Sequence, residues 1–338
     1  MNDRARPAIR LRHVTHRFGE SVAVDDLSLD VPRGEIFGFI GPNGAGKTTT
    51  IRIMATLLEP TSGKVEIDGI DAVEDPVGAR RALGYMPDHA GVYERIIVRE
   101  YLEFFAAAAG VRGGAAIDAA VELTNLGALS SQLVATLSKG MRQRLGLARV
   151  LLHEPRVLLL DEPASDLDPR ARIEMRDLLV ELSTLGKTIF LSSHIVSELE
   201  DICTSVGILE RGRLLIAGSL ATIGRARLAS VARPPREEAG GAHVDDAPAE
   251  PAPTRHRVRL RVLGESADHL ALLRASPGVH AVEASAGGWL AVEHGGDERL
   301  VAAMVRTLVV SGVDVVAVEP ERAELERLFL EVTKGRTE

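Results

Sequence analysis

Between Ile9 and Val31 apolar and polar residues alternate along AIRLRHVTHRF and AVDDLSLDV, the two-residue period of half-buried antiparallel strands. GEIFGFI follows as a short buried strand, then a glycine-rich turn, then KTTTIRIMATLL, which reads as a helix reaching Leu58. GKVEIDGID has the form of a hairpin. From Val98 to Leu152 the period lengthens to that of helices, through VREYLEFFAAAAG, IDAAVELTNLG and LSKGMRQRLGLAR. RVLLLDEP and KTIFLSSH are short apolar strands that end in polar residues, with a helical segment between them. SVGILERGRLLIAGS predicts two strands joined by the turn Glu210–Arg213.

The character changes at residues 232–255, ARPPREEAGGAHVDDAPAEPAPTR, where Pro, Ala, Gly and acids dominate and no apolar period survives. Such a composition predicts a flexible linker. Order resumes at HRVRLRVLG, and the succession strand, helix, strand, strand, helix, strand over 256–320 predicts a small α+β domain of ferredoxin-like form within 256–338. The chain of 338 residues is therefore expected to hold a domain over 1–231, a linker over 232–255 and an accessory domain over 256–338.

Composition narrows the classes. Apolar content of 45% against 26% charged is ordinary for a globular protein, and with only 3% aromatics the packing falls to Leu, Val, Ile and Ala. A net charge of −8 argues against a general nucleic-acid or anionic-membrane binder. The single cysteine, Cys203, has no partner for an internal disulfide and suits a reducing cytosol. The opening MNDRARPAIRLRHV lacks the apolar core of a signal peptide, and no run approaches the roughly 18–20 apolar residues of a membrane span.

Four stretches carry candidate chemistry. GPNGAGKT, Gly41–Thr48, lies between an apolar strand and a helix, the setting in which a glycine-rich loop wraps phosphates with backbone N–H groups. Gly41, Gly44 and Gly46 allow that wrapping, Lys47 would reach the β/γ-phosphates, and the Thr48 hydroxyl would ligate Mg²⁺. VLLLDE ends a buried strand in Asp161, a carboxylate suited to the same Mg²⁺, followed by Glu162, suited to polarising water. SSH places His194 at the end of another strand, either as a structural residue or as a sensor of a nearby phosphate. LSKGMRQRLGLAR is ambiguous by itself. Met141, Leu145, Ala148 and Leu152 form one apolar face, while Arg142, Arg144 and Arg149 are either simply solvated or, with the helix N-terminus, attract an anion.

Taken in order, these elements resemble the nucleotide-binding subunit of an ATP-binding cassette (ABC) transporter over roughly residues 8–225. The resemblance implies a P-loop NTPase fold of α/β class: a RecA-like core, an antiparallel β subdomain and a helical subdomain over about 88–152. Gly41, Pro42, Asn43, Gly44, Ala45, Gly46, Lys47, Thr48 and Thr49 then belong to the Walker A loop and bind ATP, with Phe18 placed to stack on adenine. VLLLDE is similar to the Walker B strand, with Asp161 on Mg²⁺ and Glu162 catalytic, and His194 to the switch histidine. Ser165–Asp168 matches the D-loop, with Asp166 where Gly or Ala is commoner. Leu137–Met141 matches a signature usually written LSGGQ, with Lys139 and Met141 as departures; Ser138, Lys139, Gly140 and Met141 would act on ATP held by a second copy of the subunit. After GYMP the family usually carries Gln, and here Asp88 stands there as a further Mg²⁺ ligand.

One Walker A loop and one signature amount to two half-sites, so the resemblance implies ATP buried between two subunits. SKGMRQRLGLAR and the closing LERLFLEVT resemble the multidrug-type exporters whose ABC-2 permease is a separate chain. Such a subunit is cytoplasmic and reaches the inner face of the cell membrane through that permease. Residues 88–102 offer a docking stretch in which Ile96 and Ile97 either meet the partner or pack inward. The rival reading is a soluble ABC-type ATPase acting on ribosomes or DNA, which usually carries paired cassettes or coiled-coil insertions. His269, His280 and His294 lack metal-ligand spacing and read as surface or core residues.

Overall fold

In the computed structural model the described residues are 6–320, apart from 90, 201, 221–255, 265, 286 and 297. The linker at 232–255 and the closing LERLFLEVT lie outside them. They fall into two units, one ending by Leu220 and one spanning His256–Pro320.

The first unit begins with β1 (Ile9–Phe18) and β2 (Ser21–Val31), antiparallel as the alternation predicts. β3 (Ile36–Ile40) then leads into α1 (Lys47–Met54), and the hairpin β4 (Ser62–Ile67) and β5 (Ile70–Asp71) returns to β1. α1 stops earlier than its apolar period predicts. Thr56 takes φ 59°, and the N–H groups of Leu57 and Leu58 both turn back to the Arg52 carbonyl, closing the helix end. α2 (Pro76–Ala82) and β6 (Leu83–Met86) have no counterpart in the sequence reading, because α2 buries only Ala79 and shows no apolar stripe. Asp75 caps α2 by accepting from the Gly78 N–H, and Pro76 starts it.

The helical region runs through α3 (Val98–Ala108), α4 (Ala115–Leu123) and α5 (Lys139–Leu151). β7 (Val157–Asp161), α6 (Pro169–Thr184), β8 (Thr188–Ser193), α7 (Val196–Glu200), β9 (Ser205–Glu210) and β10 (Arg213–Ser219) complete the unit. One sheet is antiparallel, in the order β2-β1-β4-β5; the other runs β10-β9-β3-β8-β7-β6, parallel except for β10.

β3, β7 and β8 are buried at every position because both faces are covered, and their middles are accordingly apolar. Phe37, Phe39, Val157, Leu159 and Phe190 face a core shared with α1 and the antiparallel sheet. Ile36, Ile40, Leu158, Leu160, Ile189 and Leu191 face the opposite way, toward Met175, Leu179 and Leu182 of α6. On the first face three phenylalanines gather, Phe37 stacked on Phe190 at 5.4 Å. Gly38 lies where Cys203 Sγ approaches to 2.8 Å of the position a Cβ would take, and burial pushes the Cys203 thiol far above its ordinary value.

At the β4–β5 turn half-buried Asp68, its side chain only 8% exposed, takes Arg33 and Arg156, the latter at 3.1 Å. Asp68→Ala leaves two cations without their acceptor and is expected to lower stability by roughly 1–3 kcal/mol, read as a fall in the urea midpoint.

The helical core gathers Val98, Tyr101, Leu102, Leu145, Ala148 and Leu152, with Ile96 and Met141 packed against it. Ile97 is half-buried and bridges to Leu133, so neither isoleucine stands free. The apolar surface of this stretch is instead Tyr93 with Phe104, ring centroids 5.5 Å apart and both more than half exposed. The three arginines of α5 are not merely solvated. Arg149 lies over the Phe105 ring and donates to Tyr101 Oη at 3.2 Å, Arg144 meets Glu174, and Arg142 donates to the Ala135 carbonyl.

The second unit comprises β11 (His256–Val262), α8 (Ser266–Arg274), β12 (Val279–Ser285), β13 (Trp289–His294), α9 (Glu298–Val310) and β14 (Val315–Pro320). Its antiparallel sheet has the order β12-β13-β11-β14, the crossed βαββαβ arrangement of the ferredoxin-like form. Val258, Leu260, Leu290 and Val292 pack with Leu273, Met304 and Leu308 from the helices. His280 is exposed, His269 half-buried and His294 buried.

Candidate functional site

The loop Gly41–Gly46 joins the end of β3 to α1, and its glycines are demanded by space as well as by conformation. A Cβ on Gly41 would come within 2.4 Å of the Leu209 carbonyl oxygen, and one on Gly46, at φ 105°, within 2.4 Å of that of Ala23. Gly46 caps α1 with no side chain, so the first N–H groups of α1 keep their donors for an incoming anion. Pro42, Asn43 and Gly44 are exposed along the loop, Ala45 is buried under it, and Thr49 is half-buried in the first turn.

Two linked clusters stand at the mouth of this loop. In the first, Thr48 Oγ1 donates to Asp161 Oδ1 at 3.3 Å and Ser192 Oγ donates to the same oxygen at 2.7 Å. The pairing of β7 with β8 sets Asp161 opposite Ser192, which puts the hydroxyl there. Burial pushes the Asp161 carboxyl above the usual carboxylate range, opposed by those two hydrogen bonds. In the second, Glu162 lies between Lys47 Nζ at 3.6 Å and His194 Nδ1 at 2.8 Å. Its backbone turns at φ 51°, and its N–H donates to Ser192 Oγ. Lys47 is buried and donates to the Gly41 carbonyl at 2.6 Å and to that of Pro42 at 3.3 Å. Burial lowers its ammonium from the ordinary lysine value, with Glu162 and Asp161 pulling the other way.

Lys47 and Thr48 at the start of α1, Asp161 and Glu162 at the end of β7, and His194 after β8 thus converge from three separate segments. Asp88 lies at the edge of the group, close enough to act on the Asp161 charge; its Oδ2 meets His89 Nδ1 at 2.8 Å, while its Oδ1 is buried with no hydrogen-bond partner among the described residues. Buried Gln143 of α5 donates to the Asp88 carbonyl at 3.5 Å. Phe18, half exposed at the end of β1, touches His16 edge-on and presents the rest of its ring outward. Ser192 and Gln143 are additions to the sequence reading. Ser192 had a signal in SSH, one residue before Ser193 and two before His194, whereas Gln143 had none.

The signature stretch stands apart from the loop. Among the described residues no hydrogen bond or ion pair joins 137–141 to 41–49. Ser138 caps α5 by accepting from the Met141 N–H at 3.3 Å, and Met141 leans on the helical core. Gly140 is pressed against α6, where a Cβ would come within 2.7 Å of Ala171 Cβ. Lys139 forms an ion pair with Asp166 at 2.9 Å. Asp168 accepts from the Ala171 N–H and caps α6.

A family model described as "ABC transporter" matches residues 24–165. The bacitracin transport ATP-binding protein of Bacillus licheniformis is 42% identical over 208 residues, covering 61% of this chain and 68% of that protein. The daunorubicin resistance ATP-binding protein of Streptomyces coeruleorubidus is 31% identical over 330 residues, 96% of either chain, so it aligns across both units. Among solved structures, an ATP-binding subunit of an ABC transporter superposes with a TM-score of 0.59 at 31% identity, over 65% of this chain and 93% of that one.

Proposed function

The chain belongs to the ATP-binding proteins of ABC transporters, and from that premise we propose that it powers export through a separate membrane permease of ABC-2 type, as one of two identical ATPase subunits. It is an ATPase with the cassette fold. The observation that carries the reading is the convergence of Lys47, Thr48, Asp161, Glu162 and His194 on one uncapped helix start.

In this reading the loop Gly41–Thr49 and the α1 amides hold the triphosphate, and Lys47 leaves the Gly41 and Pro42 carbonyls to meet it. Phe18 supplies an apolar plate for adenine. Thr48 Oγ1, Asp161 and, with its orphaned Oδ1, Asp88 are hard oxygen donors of the kind Mg²⁺ prefers, which fits the group to the site. When bound, Mg²⁺ neutralises phosphate charge. Glu162 orients the attacking water and accepts its proton, and His194, fixed through Nδ1, directs its other ring nitrogen at the γ-phosphate. Ser138, Lys139, Gly140 and Met141 are separated from their own loop and act on ATP held by the partner subunit. A helix N-terminus contributes only roughly 0.3–2 kcal/mol toward an anion, so closure sums many contacts.

No helix among the described residues is long and apolar enough to cross a membrane. The subunit works at the cytoplasmic face, bound to the permease through the helical region near Tyr93 and Phe104. The drug-related names of the relatives support export as the direction of transport. The second unit is an accessory domain attached through 232–255. Affinity purification of the tagged chain from its own cells, in mild detergent, tests this reading. A multi-span membrane protein should copurify; ribosomes or DNA in its place would overturn the assignment.

A further inference from the structure

Lys139 is an odd choice for its position. It is the first residue of α5, directly after the Ser138 cap, where the helix dipole is positive and a cation is disfavoured. Asp166 adopts φ 54° in the left-handed region, which aspartate tolerates better than most side chains, and it stands where a small uncharged residue would leave Lys139 unpaired. The two side chains meet. Lys139 Nζ lies 2.9 Å from Asp166 Oδ2, bridging the signature and the D-loop across 27 residues of chain. A cation set against the helix dipole and answered by a carboxylate from the neighbouring loop points to a functional constraint.

The surroundings separate what is fixed from what can move. Below the ion pair α5 and α6 are clamped: Gly140 has no room for a Cβ beside Ala171, and Arg144 reaches Glu174, itself held by Arg170 at 3.0 Å. Asp168 fixes the start of α6. Above that clamp the Lys139 and Asp166 side chains are 43% and 77% exposed, so their pairing is screened by water and easily exchanged. Asp166 also lies within electrostatic reach of His89 and His194, so releasing Lys139 does not strand its carboxylate.

We propose that Lys139 and Asp166 form an exchangeable latch, in which Asp166 holds the lysine until a triphosphate on the partner subunit displaces it and takes the ammonium group for itself. Lys139 is then a positioning residue with two competing anions, one in its own chain and one across the dimer. Asp166 is a brake on assembly, and Lys139 a promoter of it. This rests on the signature acting in trans.

The test uses the full chain carrying Glu162→Gln, with the ATP concentration giving half-maximal dimer read by sedimentation. Adding Asp166→Asn frees the lysine and should lower that concentration about two- to fivefold. Lys139→Met, which keeps the apolar stem, should raise it by a similar factor, and Lys139→Arg should restore it. The double variant Lys139→Met/Asp166→Asn should behave as Lys139→Met alone. A latch that is merely a structural tie predicts shifts of the same sign for Asp166→Asn and Lys139→Met, and that outcome, or no shift in either, overturns the proposal alone. If the Glu162→Gln chain with its latch intact stays single at saturating ATP, the trans reading fails and the latch with it.

Discussion

Replacing Glu162 with Gln is expected to slow ATP turnover by roughly 10²–10⁴-fold while leaving the chain able to bind ATP and close into a dimer. Gln has nearly the shape of Glu and can keep a hydrogen bond with His194, now 2.8 Å from Glu162 Oε2, so the geometry survives. What disappears is an acceptor basic enough for the proton of the attacking water. The 3.6 Å contact between Lys47 and Glu162 also loses its charge, which frees the lysine for phosphate and favours the bound state. Light scattering with ATP and Mg²⁺ should therefore report a persistent species of twice the mass, against a transient one for the unsubstituted chain. A Glu162→Gln chain that remained single and turned over at the ordinary rate would remove Glu162 from the mechanism.

The second large effect comes from mixing two inactive chains. Lys47→Ala removes the one cation held by the phosphate loop and should depress turnover by roughly 10²–10³-fold. Ser138→Arg should do the same for a different reason. Position 138 is exposed, so the bulk does not disturb the core, but the α5 cap is lost and an arginine stands where the partner's phosphate must approach. Each chain alone is dead at both sites of its own dimer. In a mixed dimer, the intact loop of the Ser138→Arg chain faces the intact signature of the Lys47→Ala chain, and one working site is recovered. Partial return of phosphate release on mixing is the expected result. Verified mixed dimers with no recovery would mean that the signature serves its own loop.

How far the chain could be read in advance followed the range of each interaction. Gly41–Thr48 was legible because its chemistry is contiguous: three glycines, a lysine and a threonine need no distant partner to be recognised. The strands RVLLLDEP and KTIFLSSH were equally plain, since burial on both faces leaves an unbroken apolar run. Ser192 was not, because its value arises only when β7 and β8 pair in a register that sets it against Asp161. α2 and β6 escaped because a seven-residue helix burying one alanine carries almost no period. For the arginines of α5 the sequence leaves solvation and anion capture both open, yet their partners, Phe105, Tyr101 and Glu174, come from α3 and α6 and cannot be inferred from spacing along α5. Lys139 and Asp166 were each visible as departures from a familiar pattern, but not as a pair.

Cys203 has a practical use. It is the single thiol of 338 residues, it is buried against Gly38, and its reactive thiolate form is strongly disfavoured. Alkylating dyes will pass it by in the folded chain. A cysteine introduced at an exposed site such as Tyr93 would then be the sole attachment point for a fluorophore, with the native thiol left in place.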